Sequence, residues 1–170
     1  LQLKKLISQS PEATHALTKS LRRATKKPLF IKITPEVTDI VAVAKAVQEA
    51  GADAISLVNT FFSMAINIET QRPFLGNCYG GYSGKAIKPM ALYRVWKVAN
   101  SVKIPVIGGG GIETASDAIE FILAGSAAVS IGTANMVEPS AARFVLKGIK
   151  DYMKRKKIKD INELKGKANV

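Results

Sequence analysis

Two short runs of this chain present backbone N–H groups where a phosphate can be held. One is Gly108-Gly-Gly-Gly-Ile, the other Ile131-Gly132-Thr133-Ala134. Glycines let a backbone approach a ligand closely, and N–H groups pointing out of such turns cradle an anion. Taken singly, each run is equally well read as a tight turn. Their succession is the stronger signal, because each ends one of the last two apolar runs of the chain. A further cluster, Gly80-Gly-Tyr-Ser-Gly84, also suits close backbone approach and says little alone.

Lys32 is the most informative single residue. It lies inside the apolar run Leu29-Phe-Ile-Lys-Ile, close to its end. An unpaired charge in such surroundings is expensive, so an anionic partner such as a bound ligand is expected. The alternative is an edge-exposed or ion-paired lysine. Asn59 and Thr60 follow the next apolar run and are either ligand-facing polar groups or turn caps. His15 sits on a leading helix and reads as a surface residue. No Ser–His–Asp set and no His/Cys cluster with metal spacing can be assembled. Cys78 has no activating histidine nearby and reads as a small packed residue, and Trp96, at helical spacing, reads as core.

The elements that must position these residues follow a regular order. Apolar runs at 29–33, 54–58, 104–108 and 127–131 are rich in Ile, Val and Leu, as expected of strands buried on both faces. Segments of helical period lie between them. Residues 38–50 open with Thr38 as an N-cap and close on Gly51 as a C′ glycine. Residues 88–100 carry Pro89 in the first turn, 114–124 run from Thr114 to Gly125, and a last helix covers about 139–156. A helix at 11–24 precedes the first strand. Four βα units in succession argue for a parallel sheet with right-handed crossovers, either half of a (β/α)₈ barrel or a small doubly wound sheet. The long insertion between Asn59 and Lys85 reads as a loop carrying a short antiparallel hairpin, and long ordered loops after strands commonly carry function.

Bulk properties set bounds on all this. At 170 residues, 47% of them hydrophobic, the chain has the makings of one globular domain. No stretch has the length of a transmembrane span, and the Leu1-Gln-Leu-Lys-Lys-Leu-Ile start is too short and charged for a signal peptide. With one cysteine and hence no internal disulfide, a cytoplasmic protein is expected. The formal charge of +12 is concentrated in Arg22, Arg23, Lys26, Lys27 and the tail from Lys147 to Lys167. No aromatic residues interleave with the densest basic run, so a solvated helix face is expected rather than nucleic-acid or membrane binding.

The motifs together resemble the dihydroorotate dehydrogenase family. The resemblance is carried by Lys32-Ile-Thr-Pro, Val58-Asn-Thr, Gly80-Gly-Tyr-Ser-Gly-Lys-Ala-Ile-Lys-Pro, Ile104-Pro-Val-Ile-Gly-Gly-Gly-Gly-Ile and Ile131-Gly-Thr-Ala, in family order. It runs from about Pro11 to Glu138, leaves the first ten residues outside, and is nearest the B subtype of the class 1 enzymes. It implies the C-terminal half of a (β/α)₈ TIM barrel and FMN as cofactor. Lys32, Val58, Gly84, Gly110, Gly111, Gly132 and Thr133 would contact the flavin or its phosphate. Asn59 and Thr60 would bind the pyrimidine of dihydroorotate or orotate. The resemblance also implies an iron–sulfur flavoprotein electron-transfer subunit as partner, and a homo- or hetero-oligomer. The family's catalytic base is a cysteine in the first half of the barrel, and Cys78 does not match its position. The chain is therefore expected to be incomplete as an enzyme. Another phosphate-binding barrel enzyme would explain the last two loops but not Lys32. A non-catalytic half-barrel that assembles with a partner chain is the remaining alternative.

Overall fold

The computed structural model describes residues 6–169; Leu1 to Lys5 of the charged N-terminal stretch, and Val170, lie outside it. After a 3₁₀ turn at Ile7–Gln9 comes helix α1 (Pro11–Ala24), whose N-cap Ser10 accepts from the Ala13 N–H and whose first residue is proline. There follow β1 (Phe30–Lys32), α2 (Ile40–Glu49) and β2 (Ala54–Leu57). An insertion holds β3 (Phe61–Ser63), β4 (Ile66–Asn67), β5 (Arg72–Pro73) and β6 (Gly80–Tyr82). The βα order then resumes with α3 (Lys88–Ala99), β7 (Val106–Gly109), α4 (Ala115–Leu123) and β8 (Ala128–Ser130). It closes with α5 (Thr133–Val137) and α6 (Ala141–Lys156).

The expected four strands pair in parallel in the order β1-β2-β7-β8. Register puts Phe30 beside Ala54, Ile55 beside Val106, and Gly108 beside Val129. Side chains alternate across such a sheet, so Ile31, Ile55, Leu57, Val106 and Val129 share one face. That face packs against α2, α3 and α4 through Val43, Val47, Val95, Val98 and Phe121, all essentially without solvent exposure. Burial of each such side chain contributes roughly 1.5–3 kcal/mol.

The expectation of strands buried on both faces fails for β1 and β8. Phe30, Lys32, Ala128 and Ser130 are exposed on the opposite, inner face, Phe30 at 57%. This face is the interior of a barrel, here a partial one of four parallel βα units, and the described residues supply nothing that covers it. The outer edges of β1 and β8 are likewise unpaired among the described residues.

Several local readings need correction. The N-cap of α2 is Asp39 rather than Thr38, with Asp39 Oδ1 accepting from the N–H groups of Val41 and Ala42. Trp96 is not core; it is 37% exposed on the outer side of α3. The last helix runs over Ala141–Lys156, close to the expected 139–156, and a short helix, Thr133–Val137, which the sequence reading did not include, precedes it. The lysines of α6 lie on its exposed face, with Lys147 paired to Asp151 at 3.0 Å. Beyond it the chain folds back onto α4, where Leu164 packs with Ile119 and Ile122. There Gly166 and Ala168 donate to the terminal carbonyls Ile122 O and Leu123 O, satisfying groups that a helix end leaves open.

The insertion contains two small antiparallel ladders, β3 with β6 and β4 with β5. It is pinned to the barrel by Glu36, whose carboxylate accepts the Phe62 N–H at 2.8 Å, and by Arg94, whose guanidinium stacks over Phe61 at 4.9 Å. Gly80 and Gly81 have a packing explanation: side chains there would collide with Leu75 and Thr60.

Candidate functional site

The C-terminal ends of the four parallel strands converge on one cleft of about 280 Å³. Ligand sites of parallel α/β folds lie at this end of the sheet. All nine residues singled out from the sequence line it: Lys32, Val58, Asn59, Thr60, Gly84, Gly110, Gly111, Gly132 and Thr133. They come from five points of the topology. Lys32 ends β1, Val58 to Thr60 follow β2, Gly84 precedes α3, Gly110 and Gly111 follow β7, and Gly132 and Thr133 follow β8.

The turn after β7 is built tightly. Gly110 and Gly111 have φ of +125° and +78°, values that side-chain-bearing residues avoid. A Cβ on Gly110 would meet Ala91 Cβ at 2.7 Å, and one on Gly111 would meet Gly84 O and Lys88 N at 2.9 Å. The β7 turn therefore sits directly on the turn that opens α3. The turn after β8 is joined to the same point by a hydrogen bond in which Thr133 Oγ1 donates to Ser83 Oγ at 2.9 Å.

Three glycine turns thus meet, and their donors are unspent. Among the described residues, the N–H groups of Gly110, Gly111, Gly132 and Thr133 make no hydrogen bond. These four donors are therefore free to meet a ligand or water.

Lys32 stands on the inner face with no hydrogen bond or ion pair among the described residues. Because it is exposed rather than buried, its charge is solvated and does not by itself demand a partner, contrary to the expectation from the sequence. Its position at the cleft remains. Ser83, Glu113, Ser130 and Met136 also line the cleft and were not anticipated. Glu113 and Lys32 are the charged residues of that lining. Cys78 lies outside it, half-buried in the insertion, with its N–H donating to Leu75 O. His15, on α1, is also outside it. Among the described residues no group of three His, Cys, Asp or Glu side chains is placed to hold a metal.

Behind this corner of the cleft lies a strongly perturbed acid, Asp117. Burial alone would raise the Asp117 carboxyl. The Lys88 ammonium, the Thr114 hydroxyl and the N–H groups of Thr114 and Glu113 outweigh that and hold it at about 2. Lys88 is raised in turn, chiefly by its hydrogen bond to Asp117.

Comparison with known proteins bears on the family and the fold. The profile of the dihydroorotate dehydrogenase family matches residues 2–153. The chain belongs to that family. The match corrects the range given by the motifs, since it takes in nearly all of the first ten residues and most of α6. The catalytic subunit of dihydroorotate dehydrogenase B (NAD(+)) from Alkaliphilus metalliredigens is 51% identical over 156 residues, covering 92% of this chain and 52% of the relative. The corresponding subunit of Porphyromonas gingivalis is 51% identical, covering 91% and 50%. The chain thus spans about half the length of the curated relatives it matches. A ligand-free dihydroorotate dehydrogenase structure from Eimeria tenella superposes with a TM-score of 0.80 at 24% identity, over 95% of this chain and 51% of that one. A second, in complex with ferulenol, gives 0.77 at 26% identity. The partial barrel is the fold of this family, and the three-turn corner lies within the matched range.

Proposed function

We propose that this chain forms the FMN-binding, pyrimidine-contacting part of an enzyme that oxidises dihydroorotate to orotate in pyrimidine biosynthesis. The observation that carries the proposal is the set of unpaired N–H groups at Gly110, Gly111, Gly132 and Thr133, gathered in one cleft with Lys32, Asn59 and Thr60. A terminal phosphate fits such a corner because its oxygens accept several hydrogen bonds at once.

Bound there, FMN would supply hydride acceptance from the substrate. The roles of the chain's own groups follow from their chemistry. Backbone donors of the Gly110–Gly111 and Gly132–Thr133 turns hold the phosphate. Lys32, at the end of β1, offers a positive charge that stabilises negative charge developing on a reduced flavin. Val58 and Gly84 bring backbone to the ring, and the side chains of Asn59 and Thr60 supply hydrogen bonds that orient the pyrimidine. Removal of the substrate's proton needs a base within hydrogen-bond reach. With Cys78 outside the cleft, we assign that base to the part of the relatives' length that this chain does not span.

The relatives are named as catalytic subunits, which supports a further subunit as partner; an iron–sulfur flavoprotein that passes electrons to NAD fits that naming. The open inner face, with Phe30, Ala128 and Ser130 exposed, favours an assembled form over an isolated one. No helix among the described residues is long and apolar enough to cross a membrane, and the proposed location is the cytoplasm.

Flavin fluorescence quenching tests the cradle. FMN is expected to bind at least about tenfold more tightly than riboflavin, which has the ring but no phosphate. Equal affinities would contradict the assignment of the glycine turns.

A further inference from the structure

A three-membered ion cluster ties the first turn of α3 to the first turn of α4. Lys88 Nζ donates to Asp117 Oδ1 at 2.7 Å and to Glu120 Oε1 at 3.0 Å. The Asp117 side chain is only 7% exposed. Its second oxygen accepts from Glu113 N–H at 3.1 Å, Thr114 N–H at 2.9 Å and the Thr114 hydroxyl at 2.8 Å. Glu113 and Thr114 are the residues through which the β7 turn enters α4. On the other side, the Lys88 backbone lies against Gly111, where an added Cβ would meet Lys88 N, Lys88 Cβ and Gly84 O, each at 2.9 Å.

These contacts close a ring. It runs from the Gly111 turn through Thr114 to Asp117, across the ion pair to Lys88, and back onto Gly111. Neither Lys88 nor Asp117 lines the cleft, so neither touches a ligand there. An exposed pair would contribute little. This one is partly buried, and its acid is fixed by a capping box, so it has a single geometry.

We infer that Lys88 and Asp117 are positioning residues, a clamp that sets the Gly110 and Gly111 turn against the Gly84 turn and so aims the unpaired N–H groups at a phosphate. The inference rests on the reading of the cleft as a flavin phosphate site. Without the ammonium, the starts of α3 and α4 meet here through van der Waals contact at Gly111, and a buried carboxylate is left uncompensated. The turn then relaxes, and the phosphate-dependent part of flavin affinity goes with it. The ring-binding part, to which Lys32 and Val58 at the ends of β1 and β2 contribute, remains.

The test compares Lys88→Met with Lys88→Arg in the full chain, by titration with FMN and with riboflavin and by hydrogen exchange without flavin. In Lys88→Met the FMN affinity is expected to fall about tenfold while riboflavin stays within about twofold, and Lys88→Arg restores the parent's preference. The amides of Glu113 and Thr114, which donate to Asp117, exchange faster in Lys88→Met alone, with those of α2 unchanged. An undiminished preference for FMN, an equal loss for both flavins, or unchanged exchange at Glu113 and Thr114 would each overturn the clamp. If the parent itself shows no preference, the cradle reading has failed, and the exchange comparison alone decides whether the clamp exists. Should Lys88→Met not fold, Asp117→Asn gives the same comparison, because it keeps an acceptor for the capping N–H groups while removing the charge.

Discussion

Replacing Gly111 by alanine tests the tight seat of the β7 turn on α3. The backbone there has φ of +78°, and the new Cβ would stand 2.9 Å from Gly84 O, Lys88 N and Lys88 Cβ. Two of those three atoms are backbone and cannot swing aside. Left-handed backbone costs a non-glycine residue roughly 1–2 kcal/mol, and forcing a methyl into a filled space costs about 1–3 kcal/mol more. The substitution should therefore destabilise by about 2–5 kcal/mol, a fall in Tm of roughly 5–15 °C for a chain of this size. Gly76→Ala is the control: nothing lies within 4 Å of its Cβ and its φ is not positive, so a change within about 0.5 kcal/mol is expected. Calorimetry or circular dichroism on the two variants and the parent reads the difference. A Gly111→Ala protein melting within about 2 °C of the parent, less than a 1 kcal/mol change would give, would refute the packing argument.

Three further outcomes follow from the site. The folded Asp117 carboxyl at about 2 lies below its ordinary value of 3.8, so its contribution is complete above about pH 4 and lost as pH falls through about 2. Asp117→Asn should lower the urea midpoint at pH 7 by the equivalent of about 2 kcal/mol, a gap from the parent that narrows toward pH 2. Thr133→Val removes the hydroxyl donated to Ser83 and should weaken FMN binding about two- to tenfold by fluorescence titration, with Thr133→Ser close to the parent. Lys32→Gln should leave Tm within about 2 °C, because Lys32 is exposed and unpaired among the described residues. In the flavin-loaded protein it should shift the potential negative by some tens of millivolts, as loss of about 1–3 kcal/mol of charge stabilisation requires; an unchanged potential would remove Lys32 from the flavin's surroundings.

The sequence made the parallel βα order legible because punctuation and period agreed. Gly51 and Gly125 close α2 and α4 where the patterns end, and Thr114 caps α4 as its spacing with Asp117 requires. The turns of the cleft were legible for the same reason, since glycine runs follow apolar runs. What escaped has physical causes. Asp39 displaces Thr38 as cap because its carboxylate reaches two N–H groups, a local competition that residue type alone leaves open. Ser130 was hidden by the apolar look of its strand, although Ala128 and Ser130 alternate with the larger Val129 and Ile131 and mark an inner face. Trp96 has helical spacing but falls on the side of α3 away from the sheet. Lys88 and Asp117 are separated by 29 positions and meet only because consecutive βα units lie side by side; no period in the sequence links them.

The most direct test of the central claim is a visible absorption spectrum of the purified chain mixed with FMN and desalted, recorded before and after anaerobic addition of dihydroorotate. A retained flavin band that stays oxidised is the predicted result, since the cradle is present and the base is assigned elsewhere. A sample that loses its flavin on desalting would contradict the cradle, and a band bleached by dihydroorotate would contradict the assignment of the base.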